Sequence, residues 1–477
     1  MVHIPDTNDV LRFLRIRMAN KRKIFLRADA GPEIGYGHYI RSLALADMLK
    51  QDFDCTMFTQ NPTEYQINEA KDICPIVALP DDDSKFEKFL EYLHGDEIVV
   101  LDNYFFTTEY QRAIKAKGCK LVCIDDMHDK HYVADVVINH GCTDASLFDA
   151  EPYTRLCLGM DYALLRRPFR NPDQQERVPN SYAICFGGAD AYNLTYEYAK
   201  DLSKRDCTIF AIVGDSYQYE DTLRTLPNVE VRKRLSADEM ASLFGSVENV
   251  ICSASTTCYE ALACGARVYA GWYVENQKEI YHLLESNRQI VPLDNLREVK
   301  EIKPTAIEPV RFPKSYNALW RVFVQLTWRV VDYRDLTEAE SRIIWEQRNQ
   351  EHIRKWMKND QPIPWDNHCA FMQSLKTNDT KRYYAFFLGD QFMASYDIVG
   401  IHDAEAECGL YLNADYEGRG LASMMQAVME QKAREMGIHL LRSEVLPHNA
   451  ASLRFFTRNG FTETHRDSEM VYLEKKI

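Results

Sequence analysis

The chain has 477 residues, 46% of them hydrophobic and 27% charged, with a formal net charge of -14. That length exceeds what one hydrophobic core supports, so two or three compact units are expected. The acidic balance argues against a general nucleic-acid or anionic-membrane binder, and no apolar run approaches the ~20 residues of a membrane span. The 13 cysteines include no CxxC pair and no secretory leader is seen, so reduced core thiols in a cytoplasmic protein are expected.

Residues 1–22 read as an N-terminal extension. There Arg12, Arg15, Arg17, Lys21 and Arg22, with Lys23 beside them, surround Leu11, Leu14, Ile16 and Met18 at roughly helical spacing, which fits a short surface helix or an extension added by cloning better than a helix that touches a membrane. From there short apolar runs alternate with amphipathic stretches. Strands are expected at 24–27, 55–58, 76–79, 98–102, 120–125 and 136–139, and a second series at 182–186, 207–213, 249–253 and 267–272. Runs rich in Val and Ile separated by helices imply parallel sheets covered on both faces. The reading is α/β, with two Rossmann-like halves at 23–170 and 180–296.

Ligands of such sheets bind beyond the carboxyl ends of the strands. Gly37 and His38 follow the first strand and precede a helix expected at 42–49, and Asp102 and Tyr104 follow another strand. Gly187, Gly188, Ala189 and Asp190 follow the first strand of the second half, and the run from Ser253 through Ala254, Ser255 and Thr256 to Thr257 follows a later one. Glycines let backbone N–H groups approach a phosphate, and a helix start adds donors and a favourable dipole. A nucleotide in the cleft is the expected guest. Thr257 to Glu260 also has the spacing of a capping box, so the sequence leaves a purely structural Glu260 open. A histidine at a helix start is expected to stay neutral near pH 7 and to accept a proton from water. No Asp-x-Asp metal pair lies near these loops, and the run Asp81 to Asp83 reads as a solvated loop, so no metal is expected.

These segments, with 34–41, 101–104, Asp125 and Asp126, 159–166, Asn193 and the pair Asn276 and Gln277, resemble the UDP-sugar hydrolase of the pseudaminic acid pathway over about residues 23 to 295. The resemblance implies a GT-B-like fold and metal-free, inverting hydrolysis of UDP-2,4-diacetamido-2,4,6-trideoxy-β-L-altropyranose. It makes His38 the catalytic histidine, puts Tyr104 and Asn276 in the sugar site, and assigns UDP binding to the turn Ser253, Ser255 and Thr256 with Glu260.

Residues 297–330 carry Pro304, Pro309 and Pro313 and read as a linker and closing segment, with the apolar stretch 318–331 either closing the first part or entering the next. In 331–477 a helix at 345–357, strands at 383–388, 392–398 and 407–412, a helix at 421–436, a strand at 440–446, a helix at 450–459 and a strand at 469–474 are expected. This order, with Glu417, Gly418, Arg419, Gly420, Leu421 and Ala422 opening the long helix, resembles the GNAT acetyltransferases. The resemblance implies acetyl-CoA as co-substrate, held by Leu412, the main chain of Gly418 to Ala422, and Asn449. Phe456 stands where that family commonly has an acidic tyrosine. The segments 345–349, 354–357 and 407–411 further resemble the pseudaminic acid pathway N-acetyltransferase, which implies 4-N-acetylation of UDP-4-amino-4,6-dideoxy-N-acetyl-β-L-altrosamine. Glu407 is the candidate base that removes the amine proton, with Tyr411 and His448 as candidate proton donors. The expected partners are thus UDP-aminosugars and acetyl-CoA. Two rivals stand beside this bifunctional reading: a GT-B glycosyltransferase fused to an unrelated acetyltransferase, and a hydrolase with an inactive GNAT tail acting as sensor or scaffold.

Overall fold

The computed structural model describes residues 21–31, 35–173, 175–187, 190–214, 216–303 and 315–477. Residues 1–20 of the N-terminal extension, Gly188, Ala189 and the three linker prolines lie outside the described residues. The chain divides into two compact units, Arg22–Trp320 and Arg321–Ile477.

In the first unit a seven-stranded, all-parallel sheet runs in the order Ile76–Leu79, Asp54–Gln60, Lys23–Arg27, Ile98–Leu101, Lys120–Ile124, Val136–Asn139 and Arg155–Leu158. Central strands such as Ile98–Leu101 bury every residue, as a sheet covered on both faces requires. A six-stranded parallel sheet follows in the order Val229–Lys233, Thr208–Val213, Val178–Cys185, Val247–Ser253, Arg267–Trp272 and Val291–Asn295. Three of these thirteen strands, Arg155–Leu158, Val229–Lys233 and Val291–Asn295, were not expected from sequence. They carry charges or a proline and are only partly buried, so their apolar signal is weak.

Both sheets reverse strand order at one point. In the first, Lys23–Arg27 and Ile98–Leu101 are neighbours whose following connections leave in opposite directions; in the second, Val178–Cys185 and Val247–Ser253 are. A crevice opens at each reversal. The loops that carry His38, Asp102, Gly187 and Ser253 are the loops that line these crevices.

Local order differs from expectation at two candidate positions. The first helix spans Gly37–Leu49, so His38 lies inside its first turn and not in a loop ahead of Ser42. The helix Thr256–Ala263 starts after Ser255 with no side-chain cap, so Thr257 and Glu260 do not form the capping box that their spacing allows. Eleven of the 13 cysteines are buried, none is in a disulfide, and Cys369 is exposed. The acidic run Asp81 to Asp83 is exposed, as expected.

The second unit is built on a mixed seven-stranded sheet in the order Trp328–Asp332, Lys381–Leu388, Gln391–His402, Glu405–Leu412, Leu440–Val445, Val471–Lys476 and Thr462–Arg466. All neighbours are antiparallel except Glu405–Leu412 and Leu440–Val445. The single helix expected at 345–357 is two, Glu338–Arg348 and Glu351–Arg354, broken at Asn349 and Gln350, where the Asn349 side chain binds Ile363 instead. The apolar stretch after Ala318 splits likewise. The helix Ser315–Leu326 carries Trp320, which is buried in the first unit and donates to Asp52 Oδ2 at 3.2 Å, and the strand Trp328–Asp332 begins the sheet of the second. No helix among the described residues is long and apolar enough to cross a membrane.

A buried ion network ties the first strand to its neighbours. Asp29, fully buried, accepts from Arg27 Nη2 at 2.8 Å, from the Gln60 N–H at 2.7 Å and from Lys85 Nζ at 3.1 Å. Burial pushes the Asp29 carboxyl up, but the Arg27 and Lys85 contacts outweigh it and hold its pKa below the ordinary value. Asp29→Ala strands the Arg27 guanidinium without its partner, and the expected loss is about 3–5 kcal/mol. Denaturant unfolding near neutral pH measures it; a loss under about 1 kcal/mol would show that the network is dispensable.

Candidate functional site

The first turn of the helix Gly37–Leu49 packs against the end of the strand Ile98–Leu101, and this brings His38 onto Asp102. His38 Nδ1 lies 2.7 Å from Asp102 Oδ1. Arg41, one turn on, grips the same carboxylate with Nε at 2.8 Å from Oδ2 and Nη2 at 2.6 Å from Oδ1, and Ser42 Oγ donates to Oδ2 at 3.0 Å. Arg41 Nη2 also stands 3.0 Å from His38 Nδ1. A nitrogen squeezed between a carboxylate and a guanidinium is best satisfied as the donor to the carboxylate, so the proton belongs on Nδ1 and the lone pair on Nε2. Burial alone would raise the Asp102 pKa, but the charge of Arg41, aided by His38, brings it down to about 2. Asp102 is therefore ionised throughout the physiological range and fixes the tautomer of His38.

Arg41 also carries the network onward. Its Nη1 donates to Asp126 Oδ2 at 2.9 Å, the Tyr104 hydroxyl reaches the same oxygen at 3.2 Å, and Asn276 Nδ2 donates to that hydroxyl at 2.8 Å. Asn276 sits in the short turn Glu275–Gln277 of the second half, so this chain of contacts crosses the cleft. The Tyr104 ring meets the His38 ring edge-on at 4.6 Å. A second bridge pairs His128 Nε2 with Glu279 Oε1 at 2.6 Å.

The phosphate-binding expectations divide. At the helix Leu194–Leu202, the Asp190 carboxylate already accepts from the N–H groups of Leu194 at 2.9 Å and Thr195 at 2.7 Å, so the first turn is occupied from within the chain. A ligand at Gly187 would meet loop N–H groups only. The helix Thr256–Ala263 has no such cap; Ser253 and Ser255 turn their hydroxyls toward one another at 3.4 Å ahead of it. This helix start keeps its donors and dipole for an anion. Glu260 is buried and held bidentate by Arg166, at 2.6 Å from Nε and 2.8 Å from Nη2. Tyr259, on the same helix, donates from its hydroxyl to the His140 carbonyl at 2.6 Å.

Arg41, Asp126, His140 and Arg166 were passed over as site residues in the sequence. Arg41, Asp126 and Arg166 stand in segments that carry the resemblance, and a histidine directly after the strand Val136–Asn139 is the sequence signal for His140. Burial, with the nearby Arg41 charge, lowers the His140 pKa from 6.5 to about 4, and its Nδ1 has no protein partner among the described residues.

In the second unit, Glu405–Leu412 and Leu440–Val445 pair only from Glu405 to Glu407 against Leu440 to Arg442. Beyond that point the strands part, and a gap opens between them. The loop after Leu412 reaches the helix Leu421–Glu435 through Gly418 and Gly420, at φ +69° and +74°, a left-handed pair that residues with a Cβ rarely tolerate. Gly420 is the N-cap and no side chain caps this helix, so the N–H groups around Arg419, Leu421 and Ala422 face an open helix start. Asn449 Oδ1 caps the helix Ala450–Arg458 through the Ser452 N–H at 3.1 Å, which leaves its amide N–H groups for a ligand. Phe456 is buried against Phe455 and Phe461. Glu407 is exposed at the last paired position before the strands separate, and the His448 ring lies 5.5 Å from that of Trp356.

Burial of the His140 ring couples stability to pH. The unfolded chain binds a proton at this residue below about 6.5 while the folded chain resists until about 4, so His140 favours folding above 6.5 and that contribution fades as pH falls toward 4. In isotope-labelled protein the His140 ring signals should stay neutral until the pH approaches 4. A midpoint near 6.5 would contradict the geometry.

Comparison with known proteins follows the same division. A family model described as "Acetyltransferase (GNAT) domain" matches residues 329–462. An uncharacterized protein of Methanocaldococcus jannaschii is 22% identical over 94% of this chain and 99% of its own length, so the match runs through both parts. The UDP-2,4-diacetamido-2,4,6-trideoxy-β-L-altropyranose hydrolase of Campylobacter jejuni is 26% identical over 54% of this chain and 93% of its own. The acetyltransferase PseH of Campylobacter jejuni is 23% identical over 30% of this chain and 91% of its own. The chain is thus a fusion, in which a region similar to a UDP-sugar hydrolase precedes an acetyltransferase domain of the GNAT type.

Proposed function

We propose that the protein carries out two consecutive steps on one sugar nucleotide. The GNAT domain acetylates the 4-amino group of UDP-4-amino-4,6-dideoxy-N-acetyl-β-L-altrosamine with acetyl-CoA as co-substrate, and the N-terminal unit hydrolyses UDP-2,4-diacetamido-2,4,6-trideoxy-β-L-altropyranose to UDP and free sugar. The observation that carries the second step is the contact of His38 Nδ1 with Asp102, which makes Nε2 the basic nitrogen in a cleft with an uncapped helix start at Ser255.

In this reading the diphosphate sits at Ser253, Ser255 and Thr256, with Gly187 and Gly188 adding loop N–H groups and Gly37 allowing close approach at the first helix. Tyr104 and Asn276 hold the sugar, and Glu260 stays fixed by Arg166. Nε2 of His38 takes a proton from water as the water oxygen attacks the anomeric carbon. The bond from that carbon to the phosphate oxygen breaks, its electron pair leaves with UDP, and the configuration inverts. Charge develops on the diphosphate, where backbone donors and the helix dipole stabilise it without a metal. Asp102, ionised at all working pH values, stabilises the imidazolium that forms.

The test uses the full chain and UDP-2,4-diacetamido-2,4,6-trideoxy-β-L-altropyranose, with no acceptor except water. UDP release should persist in EDTA, and His38→Asn should slow it by roughly 10² to 10⁴ while UDP affinity stays close to that of the wild type. Undiminished turnover in the variant would remove His38 from the chemistry. UDP release that stops in EDTA and returns with Mg²⁺, or that requires a sugar acceptor, would favour a glycosyltransferase.

A further inference from the structure

The sheet of the second unit places a second carboxylate at the gap. In an antiparallel pair, directly opposed residues share a face, and residues two apart along a strand share it too. Tyr383, Asp397 and Gly409 form one such row across three strands, and Ala385, Ser395 and Tyr411 form the next. Glu407, two residues before Gly409, lies on the same face. The opposite face carries Tyr396, whose hydroxyl binds Gln426 of the long helix at 3.0 Å.

Gly409 is the break in this surface. A Cβ there would stand 2.8 Å from Asp397 Oδ1 and 3.4 Å from its Cγ, so the carboxylate leans into the space that a side chain would fill. Gly409 is also beyond the last paired residue of its strand, where Glu405–Leu412 and Leu440–Val445 have separated. Asp397 is only partly exposed, and among the described residues no side chain donates a hydrogen bond to it and no cation pairs with it. Tyr333, bonded to Ser395 Oγ at 2.6 Å and 5.5 Å from the Tyr383 ring, covers the row from above.

We infer that Asp397 is the general base of the acetyl transfer, taking the proton from the attacking primary amine where Gly409 opens its carboxylate to the gap between the parting strands. The inference rests on the reading of this domain as an N-acetyltransferase of an amino sugar. The amine nitrogen attacks the thioester carbonyl carbon and forms the C–N bond. The proton that the nitrogen must shed passes to the Asp397 carboxylate, the C–S bond breaks with its electron pair on sulfur, and the CoA thiolate takes a proton from water. Asp397 then returns its proton to solvent past the exposed Glu407.

The surroundings suit this task. Burial raises the Asp397 pKa to about 6, and the negative charge of Glu407 adds to the rise. The groups facing it are Tyr383, Tyr333 and Tyr411, all pushed up by burial and so neutral; Arg348 lies beside those tyrosines and makes no salt bridge to Asp397 among the described residues. Cys408 and Tyr396, on the far face, are neutral for the same reason. A base near 6 is ionised at neutral pH and returns its proton readily.

The experiment follows CoA release by the full chain with UDP-4-amino-4,6-dideoxy-N-acetyl-β-L-altrosamine and acetyl-CoA. Asp397→Asn should lower kcat by roughly 10² to 10⁴ with acetyl-CoA affinity retained. Glu407→Gln, at an exposed site that does not threaten folding, should move the acid limb of kcat to lower pH, because it removes the neighbouring negative charge. A variant at Asp397 with wild-type kcat, or an acid limb that Glu407→Gln leaves in place, overturns the inference. A wild-type chain that binds acetyl-CoA yet acetylates no amine overturns the acetyltransferase reading itself.

Discussion

The buried pairing of Arg41 with Asp102 is the constraint from which the first site follows. Neither charge is tolerable alone at that depth, and together they offset much of the desolvation cost because guanidinium and carboxylate meet in two hydrogen bonds. Once fixed, the pair sets the ring of His38 from below and aligns Asp126 through the other guanidinium nitrogen. Asp126 in turn receives Tyr104, and Tyr104 receives Asn276 from the second half. The seat of the His38 ring and a cross-cleft clamp thus depend on one ion pair. Removing Arg41 would disturb both, which distinguishes it from a residue that only packs.

In the first half the reversal sets the ends of Lys23–Arg27 and Ile98–Leu101 side by side, and this explains how residues 64 apart, His38 and Asp102, converge. The chain also decides which helix start remains open. Asp190 closes one from within, and the missing cap at Ser255 leaves the other to a ligand. In the second unit the same logic takes another form. One short parallel pairing in an otherwise antiparallel sheet lets two strands separate, and a glycine beside the opening exposes a carboxylate that a larger residue would cover.

Much of this was legible before the structure. The central strands were evident from their apolar runs, as in Ile98–Leu101; His38 and Tyr104 do converge, as their positions after strands implied, and Asn276, which only the resemblance put beside Tyr104, meets it. The strands Arg155–Leu158, Val229–Lys233 and Val291–Asn295 were not evident, since edge strands bury too little to show a pattern. Glu260 was ambiguous because a capping box and a UDP contact ask for the same residue; the helix start excludes the box, and Arg166, 94 residues away in sequence, holds the carboxylate. Asp397 carried no sequence signal. Its environment is made by strand register, with Gly409 opposite and Glu407 on the same face, and register is a property of the folded sheet.

The account stands or falls on whether the two activities serve one substrate. A mass-spectrometric time course with the full chain, acetyl-CoA and UDP-4-amino-4,6-dideoxy-N-acetyl-β-L-altrosamine tests this directly. The account predicts that the singly acetylated nucleotide gives way to the diacetamido nucleotide first, with UDP and the free 2,4-diacetamido sugar following, and that omitting acetyl-CoA suppresses sugar release. Equal release of UDP with and without acetyl-CoA, or no acetylated nucleotide at any time, would contradict it.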